Sequence, residues 1–110
     1  MAAGIRIFVT ELAAQAIVDQ ADYYADRQDE ALAARWEEAV SKTIGLLLTA
    51  PEQGILCDFR PAKLKGLRRT SASGFPQHLV FYRYSHDPQT IRIVHVLHGA
   101  RDIEAVLNSL

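Results

Sequence analysis

Leu67 to Asp102 reads L-R-R-T-S-A-S-G-F-P-Q-H-L-V-F-Y-R-Y-S-H-D-P-Q-T-I-R-I-V-H-V-L-H-G-A-R-D. Two runs in it, His78 to Tyr84 and Thr90 to His98, are filled by Val, Ile, Tyr, Phe and Leu, the residues that suit a pleated, half-buried surface. Ser85-His86-Asp87-Pro88-Gln89 between them is made of turn formers, so the pair reads as a β-hairpin with a five-residue connection. Ser73-Gly74-Phe75-Pro76 reads as a loop before the first run and implies a third strand over Leu67 to Ser71. A small antiparallel sheet therefore occupies the second half, and the upstream chain must cover one of its faces.

Upstream of the sheet, Ile5 to Val9 reads as a short strand, and Thr10 is a good N-cap with Glu11 in the first turn behind it. Leu12, Ala13, Ala16, Ile17, Gln20 and Tyr24 then recur at helical spacing. Asp26 to Asp29 breaks the pattern, and either acid can cap the next helix. That helix runs to about Thr49 with Leu32, Trp36, Ala39, Val40, Thr43 and Leu47 on one face, and Ala50-Pro51 stops it. Trp36 reads as core rather than contact. So short a link makes the two helices antiparallel neighbours, and their stripes are fully buried only against the sheet. Gly45, costly in a helix interior, is expected to mark close packing there.

Ile55 to Phe59 reads as a strand, Arg60 to Gly66 as a basic loop, and Arg101 to Leu107 as a short helical tail after Gly99 ends the sheet. The expected fold is a single α+β domain over residues 1–110, in the order β-α-α-β-β-β with a short C-terminal helix. Its N-terminal strand and antiparallel helical hairpin pack on a small, mainly antiparallel sheet.

At 110 residues and 12.2 kDa, with 49% hydrophobic residues, the chain suits one modest core and not a disordered segment. The longest apolar run, Ile44 to Leu48, is five residues, so no membrane span is expected, and the N-terminus lacks the apolar segment of a secretory signal. The lone Cys57, read as a core thiol in a strand, sits comfortably in a reducing cytoplasm. Charge is uneven: residues 1–50 carry net −4, and residues 51–110 net +3, so the predicted sheet carries the basic surface.

The histidines show no metal-ligand spacing, since His95 and His98 fall on opposite faces of a regular strand. No nucleophile elbow and no phosphate-cradling glycine motif is present, and neither metal nor cofactor is expected. Lys63, Lys65, Arg68, Arg69, Arg83, Arg92, His98 and Glu52 are raw material for metal-free phosphoryl chemistry, in which cations stabilise developing charge. The bland alternative is that Arg83 and Arg92, across the hairpin, are simply solvated.

Taken together, several segments resemble the ParE branch of the ParE/RelE toxins of type II toxin–antitoxin systems. They are Leu12, Ile17 and Tyr23-Tyr24; Ala33, Trp36 and Ala39-Val40; Pro51 and Gly54; Gly66-Leu67-Arg68-Arg69; Phe75-Pro76; Val80-Phe81-Tyr82-Arg83; Ile91-Arg92-Ile93; and Val96-Leu97-His98-Gly99-Ala100-Arg101-Asp102. The resemblance implies a cytoplasmic bacterial toxin whose helical hairpin packs on a curved sheet. It implies a cognate antitoxin that wraps the toxin, a toxin–antitoxin hetero-oligomer, and inhibition of DNA gyrase by protein contact. No direct DNA binding by the toxin alone is expected.

The related RelE-like members cut mRNA on the ribosome, often with a Tyr or His near the C-terminus. Here His98 is followed by Gly99-Ala100-Arg101-Asp102, and the tail has no Tyr, so the ribonuclease pattern is incomplete and no catalytic residue is expected. Arg68 and Arg83 match arginines shared by both branches and do not separate them. Antitoxin or target binding is expected at Arg68, Arg69, Arg83, Arg92, His98 and Arg101. The mRNA endonuclease and a non-toxic antitoxin-binding module stand as alternatives.

Overall fold

The structure, a computed structural model, describes residues 4–99 and 102–110. Strand β1 (Arg6–Val9) leads into helix α1 (Glu11–Asp26), and helix α2 (Glu30–Thr49) follows. Then come β2 (Ile55–Leu56), a 3-10 turn at Ala62–Leu64, β3 (Arg68–Ala72), β4 (Phe75–His86), β5 (Gln89–His98) and helix α3 (Ile103–Asn108). The α+β arrangement and element order follow the sequence reading. The strands form one sheet in the order β1-β5-β4-β3-β2, antiparallel throughout except that β1 runs parallel to β5. A parallel neighbour needs a long crossover, and the two helices with the β2–β4 segment supply it.

The hairpin is longer and tighter than its composition suggested. His86 pairs with Gln89, leaving only Asp87-Pro88, joined by a cis peptide, as the connection. Phe75-Pro76, expected in a loop, belongs to β4, since Ser73-Gly74 alone turn the chain from β3 and Gly74 has φ +82°. Only Gly adopts that conformation without strain. Conversely β2 keeps two residues of the expected Ile55 to Phe59 strand, and Cys57 and Phe59 leave the ladder to fold beneath the sheet.

Thr10 caps α1 by accepting from the Ala13 N–H, while its own hydroxyl donates to the Val94 carbonyl (3.0 Å), tying the start of the helix to β5. Of the two candidate caps between the helices, Asp29 takes the role for α2, accepting from the Leu32 N–H at 3.0 Å, and Asp26 ends α1. Asp102 caps α3. Trp36 is fully buried and its indole N–H donates to the Ile17 carbonyl (3.0 Å), locking α2 to α1. Around it Ala13, Val40, Leu47, Val80, Tyr82, Ile91 and Ile93 form the main core, between the hairpin and one sheet face. Gly45 is exposed and a Cβ there would meet nothing within 4 Å. Close packing therefore does not explain it, and nothing else in the structure does.

The opposite sheet face is not left open. Leu64, Leu67, Phe81, Leu97 and Leu107 form a second cluster, joined by Cys57, Phe59, Leu79, Val94, Ile103 and Val106. The Cys57–Leu67 segment and α3 thus cover part of the face expected to be free. Among the described residues no helix is long and apolar enough to cross a membrane.

Candidate functional site

Strand parity distributes the basic residues. Val80 and Tyr82 face the helices, so Phe81 and Arg83 face away from them. Register then places Arg69, opposite Phe81, and Arg92, opposite Arg83, on that far side, while Arg68, opposite Tyr82, is on the helix side. The adjacent pair Arg68-Arg69 is split between faces, as a regular strand requires.

Arg68 and Arg83, the arginines shared across the resemblance, are bound to backbone. Arg68 Nη1 donates to the carbonyls of Glu52 (3.0 Å) and Gly54 (2.8 Å), and its Nη2 stands 3.6 Å from Glu52 Oε2. The same loop is held from inside by Tyr82, whose buried hydroxyl donates to the Pro51 carbonyl (2.8 Å) and accepts from the Gly54 N–H (2.8 Å). Burial pushes the Tyr82 phenol up, against the opposing pull of the Gly54 N–H and Arg68. A Cβ on Gly54 would stand 2.7 Å from Tyr82 Cε1, so the loop approaches the ring more closely than a side chain permits. Arg83 donates to the carbonyls of Lys65 (2.6 Å) and Lys63 (2.5 Å), fixing the 3-10 turn. Lys65 Nζ is in turn bonded to the Phe59 carbonyl and Lys63 Nζ to the Leu110 carbonyl. Four of the cations assembled as raw material for phosphoryl chemistry therefore close loops.

Arg69 and Arg92 are different. Both are exposed, and no carboxylate lies within ion-pair distance of either among the described residues. Arg92 lies 6.0 Å from the ring centroid of Phe8, itself 49% exposed. Arg69 borders two adjoining hollows that share Arg69 and Leu79. One, of about 330 Å³, is lined by Leu56, Cys57, Phe59, Phe81 and Ile103, and the other, of about 310 Å³, by Gly54, Ile55 and Ser71. Cys57, half-buried in the first, is not the strand residue expected, and burial pushes its thiol up while Arg69 pulls the other way. A thiol so shifted is a poor nucleophile.

His98 sits apart, on the helix side at the far end of the hairpin. It pairs with His78 across the strands, their rings 5.2 Å apart, and shares a 3.1 Å hydrogen bond with Gln77. His78 packs 4.8 Å from Trp36, and burial, then the charge of His98, hold its pKa below the ordinary value. His98 is thus not brought together with the arginines, and Arg101 lies outside the described residues. Among the described residues no group of three or more His, Cys, Asp and Glu could hold a metal ion.

Sequence reasoning missed two exposed apolar groups, Ile55 (64% exposed) and Leu56 (56%), on the edge strand beside Arg69. Their type pointed to burial. The shortness of the run, ended by Cys57-Asp58, was the available sign of an edge.

The fold and sequence both have relatives. The chromosomal ParDE toxin–antitoxin system from P. aeruginosa contains a similar chain, with a TM-score of 0.66 at 17% identity, covering 86% of this chain and 95% of that one. A YoeB/ParE toxin from Agrobacterium tumefaciens is similar with a TM-score of 0.56 at 17% identity, covering 86% and 98%. At this identity the likeness is one of fold. A comparison with curated protein sequences gives no match. The family described as ParE toxin of type II toxin–antitoxin system, parDE, matches residues 7–103. That match runs from β1 to the first residue of α3, and the chain belongs to the ParE toxin family.

Proposed function

We propose that this toxin acts in the cytoplasm by binding DNA gyrase and stopping replication, without chemistry of its own, and that its antitoxin silences it in a hetero-oligomer. As a ParE toxin, it is the toxin component of its type II system and has an antitoxin as its cognate partner. The observation that carries a contact mechanism is the commitment of Arg68, Arg83, Lys63 and Lys65 to backbone carbonyls. A guanidinium whose donors are spent on a loop is not poised for a phosphoryl group. The exposed cations left, Arg69 and Arg92, stand beside exposed apolar side chains, a pairing that suits a protein partner.

Arg69 and Arg92 are the direct contacts in this reading, Arg68 and Arg83 hold the loops beneath them, and His98 with Arg101 forms a separate area at the other end of the hairpin. The test is a supercoiling assay with purified gyrase and toxin, with and without antitoxin. Inhibition relieved by the antitoxin is expected. Unchanged gyrase turnover with excess folded toxin overturns the gyrase reading, and new transcript ends in a translating extract would replace it with mRNA cleavage.

A further inference from the structure

His78 and His98 stand directly opposite each other on β4 and β5. The Gly99 N–H donates to the Gln77 carbonyl at 2.7 Å, so Gln77 and Gly99 form a hydrogen-bonded pair of the ladder. Bonded and non-bonded pairs alternate along an antiparallel ladder, which makes His78 and His98 a non-bonded pair, the kind whose side chains stand closest. Both are half-buried on the helix side, where Trp36 and Phe75 back His78. Hairpin register alone brings the two together, so no spacing in the sequence marks them.

Their separation fits one metal ion. Zn²⁺ holds an imidazole nitrogen at about 2.0–2.1 Å, which sets each ring centroid about 3.2 Å from the ion and two tetrahedrally placed rings about 5.2 Å apart. The rings of His78 and His98 are 5.2 Å apart, with their planes at 85°. His χ2 is broad, so each ring can turn to aim a nitrogen at a common point without moving either strand. A ligating His ordinarily gives its other ring N–H to an acceptor, which fixes the tautomer. Gln77 Oε1, 3.1 Å from His98 Nε2, is such an acceptor and leaves the lone pair to Nδ1. No third His, Cys, Asp or Glu joins the pair among the described residues, so water completes the coordination.

We propose that His78 and His98 chelate a divalent transition-metal ion of the Zn²⁺ type, with Gln77 orienting the His98 ring. The ion ties the first half of β4 to the last residue of β5, at the end of the hairpin away from its Asp87-Pro88 connection. The site owes nothing to the gyrase reading and stands or falls without it.

Trp36 reports binding, because it is the only Trp in the chain and its ring lies 4.8 Å from that of His78. The purified toxin is titrated near neutral pH with Ni²⁺, an open-shell ion that quenches a neighbouring indole. Zn²⁺, which is d¹⁰ and does not quench, is then added to displace it. We expect saturable quenching by Ni²⁺, its reversal by Zn²⁺, and a rise in Tm with Zn²⁺. His78→Gln and His98→Gln should each lose all three. Gln77→Leu should weaken binding by about tenfold or more. His86→Gln, at the opposite end of the hairpin beside Glu52, should bind as wild type does. Absence of quenching in the wild-type chain overturns the proposal, and so does quenching that survives in both folded histidine variants or disappears in His86→Gln. Equal affinity in Gln77→Leu overturns the orienting role of Gln77.

Discussion

Replacing Tyr82 with Phe removes one oxygen and tests whether the α2–β2 loop is held from inside the protein. The hydroxyl satisfies two backbone groups at once, the Gly54 N–H and the Pro51 carbonyl, each at 2.8 Å. The Gly54 bond is buried and the close approach of backbone to ring leaves no room for a replacement group. An orphaned buried donor costs about 1–3 kcal/mol, while the part-buried Pro51 carbonyl recovers some of its loss from water. The net expectation is a destabilisation of about 2 kcal/mol. For 110 residues that lowers Tm by about 8–10 °C. Differential scanning calorimetry reads the shift. Amide exchange reads the site, because the Gly54 N–H loses its acceptor while Arg68 still holds the Gly54 carbonyl. Arg68 grips the same loop from outside, so Tyr82→Phe and Arg68→Met should not add, departing from the sum by about 0.5 kcal/mol or more. A Tm within about 2 °C of wild type, with unchanged Gly54 exchange, would refute the claim that Tyr82 pins this loop.

His78 makes stability depend on pH. Unfolded His78 takes up its proton near the ordinary 6.5, the folded residue only below that, so stability should fall as pH drops through the window beneath 6.5. Urea midpoints between pH 7.5 and 5 should decline less steeply in His78→Gln, and an identical slope would count against the assignment. The Cys57 thiol, pushed up by burial, should alkylate more slowly at pH 8 in the folded chain than in urea. Arg69→Ala removes the opposing pull and should move the midpoint of the pH–rate curve upward; a downward move would contradict the arrangement. Arg83→Met should free the 3-10 turn, read as faster proteolytic cleavage between residues 60 and 66 with the β4–β5 ladder still protected from exchange. Equal cleavage rates would show the turn to be held by other contacts.

Local chemistry was legible in the sequence; partnership across the sheet was not. Thr10 as a cap, the end of α2 before Ala50-Pro51, Trp36 in the core and the pairing of the His78 to Tyr84 run with the Thr90 to His98 run all depend on side-chain types within a few residues. The parallel seat of β1 beside β5 joins residues more than eighty positions apart, and no local pattern encodes it. Phe75-Pro76 looked like a loop because Pro lacks a donor, but Gly74 completes a tight turn, which lets the strand begin directly after it. At the candidate site, the sequence named the arginines without revealing what each of them holds. A guanidinium that folds back on a carbonyl and one that waits for a partner share the same letter.

The division between those two kinds of arginine follows from the ladder itself. Arg68 and Arg69 are consecutive and point to opposite faces. On the helix side Arg68 meets the loop that leaves α2, whose carbonyls at Glu52 and Gly54 have no strand partner, and it satisfies them. On the far side Arg69 meets a hollow floored by Leu79 and Phe81, and although Asp58 lines it too, no carboxylate stands within ion-pair distance of Arg69 among the described residues. Keeping a charge over such a floor without a counter-ion is unfavourable in proportion to its desolvation. A partner that brings a carboxylate and covers the remaining apolar surface removes that cost, whereas one that brings only apolar groups increases it. Arg69→Met should therefore weaken binding to an antitoxin that brings a carboxylate here, while raising the stability of the isolated toxin or leaving it unchanged. A variant that lost stability and affinity together would place Arg69 among the loop-holding residues instead.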